Sequence, residues 1–362
     1  MNKPKKSTRN VVLPAEWAPQ SAVMLTWPHE ATDWLPILPQ ITRTYITLSL
    51  EIALRERLVI VTPHPDEVKR YLMTSIMDDV ASGAMDAMQV VGNIHVIQCP
   101  TNDTWARDHG FITLVDKEKK TSRLLDFGFN GWGDKFESSL DNAINRCLYG
   151  QHLLRGEYVD YNDFILEGGS IESDGDGTIF TTTGCLMAPH RNQPLSQEKI
   201  EEELKRRLHA ERIVWIDHGH LTGDDTDGHI DTLVRIAPAD TILYVGCDDE
   251  DDEQYSDLKK MEEELRCLQT MRGRGYRLIR LPMPRPVFHE GERLPATYAN
   301  FLVINGAVLY PTYGQPDKDA EAAEALADAF PEREIVGIDC SSVIVQHGSL
   351  HCCTMQFPEG VL

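Results

Sequence analysis

Four short segments combine ionisable side chains with glycine where a chain turns or a strand begins. They are Thr104-Trp105-Ala106-Arg107-Asp108-His109-Gly110, Leu166-Glu167-Gly168-Gly169-Ser170, Asp224-Asp225-Thr226-Asp227-Gly228-His229-Ile230-Asp231 and Gly348-Ser349-Leu350-His351-Cys352-Cys353. A carboxylate beside a double glycine sits at a sharp bend, from which it projects into a cavity. If His229 begins the strand that continues through Leu233, His229 and Asp231 face the same side, a titratable imidazole beside an anion. Cys352 and Cys353, on a strand, face opposite ways, so only one of them meets a cavity. Each segment also has a plainer explanation: an Arg107–Asp108 surface ion pair, a Glu-Gly-Gly turn, a packing cysteine. The aspartate-rich segment lacks the closing glutamate of an EF-hand loop, and His218, His220 and His229 lack the spacing of a zinc-binding helix. Taken singly, no segment decides the chemistry.

The elements that must hold these segments are short strands between amphipathic helices. Ile41, Tyr45, Leu48 and Ile52 recur at helical spacing, as do Ile200, Leu204 and Leu208 behind Ser196, and Leu258, Met261, Leu265 and Leu268 behind Ser256. Ala320 to Phe330 forms a helix stopped by Pro331, and a shorter one is expected over 138–148. Strands are expected at 58–61, 111–115, 123–127, 178–182, 232–236, 241–245 and 277–281, and a hairpin turns at Asn305-Gly306 between 301–304 and 307–310. Two or three strands per helix, repeated about five times, fit a ring of ββαβ units. They do not fit a doubly wound sheet, which needs about one strand per helix. No Gly/Ser/Pro linker interrupts residues 1–362, so one continuous domain is expected.

Composition narrows the partners. The 362 residues carry 35 Lys+Arg against 57 Asp+Glu, a net charge of −22, which repels nucleic acid and anionic lipid and favours small cations. With 41% apolar and 25% charged residues the chain reads as globular, and no apolar run reaches a membrane span of about 20 residues. Met1-Asn2-Lys3-Pro4-Lys5-Lys6-Ser7 is basic but leads into no apolar stretch, so a cytoplasmic protein is expected. The run Asp248 to Glu253 reads as a solvated loop. Cysteines stand at 99, 147, 185, 247, 267, 340, 352 and 353 with no C-x-x-C pair, so reduced thiols are expected.

In order, the segments resemble the bacterial-type agmatine deiminase branch of the guanidino-group-modifying (pentein) superfamily. The resemblance extends to Thr26-Trp27-Pro28, Asp33-Trp34, Asp126-Phe127-Gly128-Phe129-Asn130-Gly131-Trp132-Gly133, Glu167 to Glu172, Thr226 to Asp231 and His351-Cys352. It implies a five-bladed α/β propeller of pseudo-repeated ββαβ units with the active site on its axis, no metal, no cofactor and a homo-oligomer. It also implies hydrolysis of agmatine to N-carbamoylputrescine and ammonia. In that scheme Cys352 attacks the guanidino carbon to form a thiouronium, and His229 is general acid and then base. Asp108, Glu167 and Asp231 bind the guanidinium, Glu167 orients His229, and Trp105 stacks on the substrate plane. Carboxylates around Cys352 are expected to raise its pKa until a cationic substrate arrives. The alternatives are arginine, peptidyl-arginine or another alkylguanidine as substrate, a metal-dependent hydrolase, or a polyamine-binding protein. Where such deiminases carry a glycine-rich stretch before His-Cys, this chain has Gln346-His347-Gly348-Ser349-Leu350, a stiffer loop expected to reshape the pocket for the substrate's tail.

Overall fold

The run Leu58-Val59-Ile60-Val61 has no polar alternation, the pattern of a strand covered on both faces, and it forms the buried centre of Arg57–Thr62. Arg57–Thr62 pairs in parallel with Gln20–Thr26 and Ile94–Gln98, and Thr354–Pro358 joins antiparallel to Gln20–Thr26. The computed structural model describes residues 10–81 and 87–362; the basic stretch Met1 to Ser7 lies outside them.

Four other sheets repeat one connection, an antiparallel pair followed by a strand added in parallel. They are built on Ile112–Asp116, Thr121–Gly128 and Glu157–Ile165; on Ile171–Ser173, Thr178–Thr182 and Arg212–Ile216; on Val234–Ala237, Thr241–Val245 and Arg277–Leu281; and on Leu302–Ile304, Ala307–Thr312 and Glu334–Asp339. A parallel neighbour requires a crossover. Leu38–Ala53, Ile144–Gly150, Gln197–Arg207, Tyr255–Cys267 and Pro316–Ala329 supply one for each of the five sheets. The fold is mixed α/β, as the strand-to-helix ratio implied.

The expected apolar stripes face inward: Ile41, Tyr45, Leu48 and Ile52 are all buried, as are Ile200 and Leu204. Ser196 occupies the N-cap of its helix, but its hydroxyl makes no capping bond to the backbone. The expected 138–148 helix is a 3-10 turn at Asp141–Ala143 followed by Ile144–Gly150. Helix Pro65–Ala81, which buries Val68, Leu72 and Ile76, was not anticipated. Among the described residues no helix is long and apolar enough to cross a membrane.

Four local expectations are corrected. His229 does not begin a strand: it is the N-cap of a 3-10 turn, Ile230–Thr232, and the strand starts at Val234. Thr232 Oγ1 donates to the His229 carbonyl at 2.8 Å and the His229 N–H donates to Thr226 Oγ1 at 3.1 Å. These local bonds outcompete a β-ladder. Cys352 and Cys353 lie in a turn ahead of Thr354–Pro358, not on that strand. Cys99 and Cys147 form a disulfide spanning 48 positions, so the thiols are not all reduced. Their proximity comes from the fold, which sets the end of Ile94–Gln98 beside helix Ile144–Gly150. The acidic run is also only partly solvated, because Asp252 pairs with Arg293 at 2.7 Å.

Candidate active site

Four short turns bring the candidate residues together. The helical turn Ala106–His109 carries Asp108, and Glu167 precedes the 3-10 turn Gly168–Ser170. The turn Ile230–Thr232 carries Asp231 with His229 at its N-cap, and the last turn carries Cys352. All five side chains are buried, none above 6% exposed.

The double glycine works through lack of bulk, not through an unusual bend. Gly168 and Gly169 are both absent from the positive-φ glycines. A Cβ on Gly169 would stand 2.7 Å from His229 Nδ1, 2.8 Å from Asp108 Oδ1 and 3.2 Å from Asp231 Oδ2. One on Gly168 would stand 2.1 Å from the Arg107 carbonyl. Glycine at both positions lets the turns close to contact.

Asp108 accepts the Gly169 N–H at 3.0 Å on Oδ1 and the Trp132 indole N–H at 2.9 Å on Oδ2. The tryptophan is aimed by a left-handed turn: Gly131, Trp132, Gly133 and Asp134 have φ of 65°, 57°, 88° and 64°. Such a turn costs about 1–2 kcal/mol per non-glycine residue, and an Asn130 side chain bonded to the Gly133 N–H at 3.0 Å supports it. Arg107, expected as a surface partner of Asp108, is buried and pairs with Glu16 at 3.1 Å.

Burial, reinforced by Asp231, raises the Asp108 pKa to about 6. Burial opposes the charged form of His229, but Asp108, 3.5 Å from its Nδ1, together with Cys185 and Glu167 holds the imidazole well above its ordinary pKa. Asp231 stays ionised despite its burial because His351 donates to it at 2.7 Å, aided by the charges of His229 and Arg235. Burial and then the charges of Asp231 and Asp108 push the Cys352 thiol well above the ordinary cysteine value. That is the direction expected for a thiol among carboxylates in the absence of a cation.

Cys352 Sγ lies 3.4 Å from Asn300 Oδ1 and 3.8 Å from Asp231 Oδ2, and its carbonyl accepts the Arg107 N–H at 3.1 Å. Cys353 turns away toward Tyr45, and burial raises its pKa to about 12. Polar atoms in the centre lack a hydrogen-bond partner: Glu167 Oε2, Asp231 Oδ1 and both His229 ring nitrogens, although His229 Nδ1 keeps its ion-pair contact with Asp108. Two acceptor oxygens and a titratable ring gathered in one place leave hydrogen-bonding capacity that a polar ligand could use.

Residues 12–358, nearly the whole length, match the family of Porphyromonas-type peptidyl-arginine deiminases. The chain belongs to that family. It is 31% identical to the agmatine deiminase of Pseudomonas putida, over 96% of this chain and 96% of the relative. A C. jejuni agmatine deiminase, solved as a cysteine-to-serine variant with substrate bound, is 36% identical with a TM-score of 0.85, covering 97% of each chain. A Porphyromonas gingivalis protein with a provisional arginine deiminase name is 44% identical with a TM-score of 0.87, covering 97% of this chain and 99% of the other. The agmatine deiminase resemblance read from the motifs is borne out.

Several site residues of this family member were not legible in advance. Arg191 donates to Glu167 at 2.9 Å and to Asp227 at 2.7 Å. Cys185 lies within 4.8 Å of Glu167 and His229. Neither they nor Asn300 stand in a segment where ionisable residues and glycine cluster. Trp132 stands inside a quoted motif, but its bond to Asp108 shows only in three dimensions. Trp105 donates to Asp103 at 3.0 Å and lies so close that a Cβ on Gly348 would stand 2.1 Å from its ring.

Among the described residues, Glu167–Cys185–His229 and Glu16–Glu172–His351 have the spacing of metal ligands, as does the outer set His29–Glu30–His64. Arginine already occupies the two inner sets: Arg191 on Glu167, Arg235 on Glu16 and Glu172. His218 pairs with Glu264, and His218 and His220 belong to none of these sets.

Proposed function

We propose that this chain is a hydrolytic deiminase of a small cationic guanidine, with agmatine as substrate. The observation that supports this reading is a pair of buried acceptors without a hydrogen-bond partner, Asp231 Oδ1 on the carboxylate beside Cys352 and Glu167 Oε2 on the carboxylate beside His229. A planar guanidinium presents paired N–H donors that fit such acceptors, and its charge offsets the repulsion among them. The identities to agmatine deiminases support the same reading.

In the proposed reaction Cys352 Sγ bonds to the central guanidino carbon, and the C–N bond to one terminal nitrogen breaks. That nitrogen takes a proton from His229 and departs as ammonia, leaving a thiouronium. His229 then accepts one proton from water, whose oxygen bonds to the carbon, and the second water proton passes to Sγ as the C–S bond breaks, which restores the thiol and releases N-carbamoylputrescine. Asp108, Asp231 and Glu167 hold the guanidinium, Trp105 stacks on its plane, and the arriving cation lowers the raised thiol pKa. We read the five sheets as blades of one continuous α/β propeller over 1–362 with this site at its axis.

The 44% identity to the P. gingivalis protein favours a second reading, arginine or peptidyl-arginine as substrate. Ammonia release from agmatine, arginine, an arginyl peptide and guanidinobutyrate separates the two. Turnover of agmatine above the others is expected. Preference for arginine or the peptide would overturn agmatine as substrate, and no release from any guanidine would overturn the deiminase reading.

A further inference from the structure

Asp231 is asymmetric. Its Oδ2 receives His351 Nδ1 at 2.7 Å and approaches Cys352 Sγ at 3.8 Å, while its Oδ1 is buried with no protein partner. The carboxylate torsion of an aspartate is broad and roughly two-fold, so an unclamped Asp231 would exchange the two oxygens freely. An ionised carboxylate only accepts, so the proton of that contact belongs to His351 Nδ1.

The far side of the imidazole is held as firmly. His351 Nε2 lies 2.8 Å from Glu16 Oε1 and 3.1 Å from Arg235 Nη2. Glu16 Oε2 accepts from Arg235 at 2.5 Å, and Glu16 Oε1 forms an ion pair with Arg107 Nη1 at 3.1 Å. Arg235 also pairs with Glu172 and lies 4.4 Å over the Phe301 ring. The His351 N–H is bonded to Asn300 Oδ1 at 2.9 Å, the same oxygen that Cys352 Sγ approaches. Burial, with Arg107 and Arg235, lowers the pKa of His351 against the pull of Glu16 and Asp231. Nδ1 donates to Asp231 in either charge state, while Nε2 donates to Glu16 Oε1 when the ring is protonated and accepts from Arg235 when it is neutral.

We propose that His351 is a positioning residue: it locks Oδ2 of Asp231 so that Oδ1 alone faces the substrate, with Glu16 and Arg235 as its backing. This rests on the reading of Asp231 as a guanidinium-binding carboxylate. Glu16 comes from the segment ahead of Gln20–Thr26 and stands in none of the motifs, so this N-terminal stretch becomes part of the machinery of a site built from later turns.

Two substitutions separate positioning from packing. His351→Asn keeps an N–H near the position of Nδ1 and abandons Glu16. His351→Gln keeps reach toward Glu16 and loses the donor to Asp231. Steady-state ammonia release should show kcat/KM reduced about 100-fold in His351→Gln and less than about tenfold in His351→Asn. The larger loss should appear mainly in KM.

The groups facing Asp231 are His351, His229 and Arg235, which favour its ionised form, and Asp108 and Cys352, which oppose it when charged. Losing the His351 donor raises the Asp231 pKa, so the acid limb of kcat/KM should move to higher pH in His351→Gln and stay near wild type in His351→Asn. Equal losses in the two variants, or an unmoved limb in His351→Gln, overturn the assignment. Glu16→Ala, on a partly exposed side chain, repeats the test without touching the ring: a several-fold fall in kcat/KM with the same direction of limb shift is expected, and wild-type behaviour counts against it. A wild type inactive on every guanidine fails at the earlier reading and takes this one with it.

Discussion

Two buried ionic clusters lie back to back across Asp231 and His351, and they differ in how completely the protein satisfies them. The rear cluster joins Glu16, Glu172, Arg107, Arg235 and His351, and every oxygen of the two glutamates lies beside a cation, an imidazole or a backbone N–H, with Arg107 Nε its one unmatched atom among the described residues. The front cluster joins Asp108, Glu167, Asp231, His229 and Cys352, and it leaves Glu167 Oε2, Asp231 Oδ1 and both nitrogens of His229 unmatched. Leaving a buried polar group unmatched costs roughly 1–3 kcal/mol, more when it is charged. Under the proposed function the front set binds the cation, and the rear set backs Asp231 through His351.

The sharpest break between the clusters is at the thiol. Cys352→Ser should lower kcat/KM for ammonia release by about 10⁴-fold or more, whereas Cys353→Ser, altering the residue turned toward Tyr45, should stay within a few-fold of wild type. The reverse pattern would move the nucleophile to Cys353.

The central arginine of the rear cluster should answer in stability. Arg235→Met leaves Glu16 and Glu172 buried without their principal cation, which should destabilise the fold by about 3–5 kcal/mol in denaturant titration. A loss below about 1 kcal/mol would show that the rear charges are not carrying structure.

Gly169→Ala places a methyl against His229, Asp108 and Asp231 at once. A displacement approaching 1 Å should cost about 100-fold in kcat/KM. The melting temperature should fall only slightly, because the crowded atoms are side-chain ends and not backbone. A large unfolding effect with normal specific activity would place Gly169 in the structural half of the comparison.

The smallest effect concerns Asp108, whose pKa is raised to about 6. Below that value it is protonated and no longer an anion for the guanidinium, so kcat/KM should fall as pH drops through about 6. Trp132→Phe removes an N–H that favours the ionised form, so the Asp108 pKa should rise further and the limb should move toward neutral. At pH 7 the variant should lose about tenfold, in line with one hydrogen bond to a charged group. A limb that shifts to lower pH would contradict the assignment of that titration to Asp108.

Much of the front cluster was legible because its members sit in dense segments: Glu167 with two glycines, His229 two residues from Asp231, Cys352 beside His351. The sheet-and-helix rhythm was legible through Ile41–Tyr45–Leu48–Ile52 and similar stripes, since burying one helical face leaves a periodic trace. The turn at His229 was misread because Ile230 to Ile236 is rich in strand formers. Asn300, Arg191 and Glu16 left no trace at all. Each is a single polar residue whose importance lies in what it touches 52, 24 and 335 positions away.

Residue types, composition and local spacing by themselves determined which chemistry was available: a thiol, an imidazole and three carboxylates in an acidic chain. They also determined the alternation of strand and helix, because both follow from short-range patterns. Only the tertiary structure decided which oxygen of Asp231 is free, which cysteine faces the carboxylates, that Cys99 meets Cys147, and that the double glycine is needed for room. These depend on groups brought together from distant parts of the chain, and contact at a few ångströms has no signature in the order of the letters.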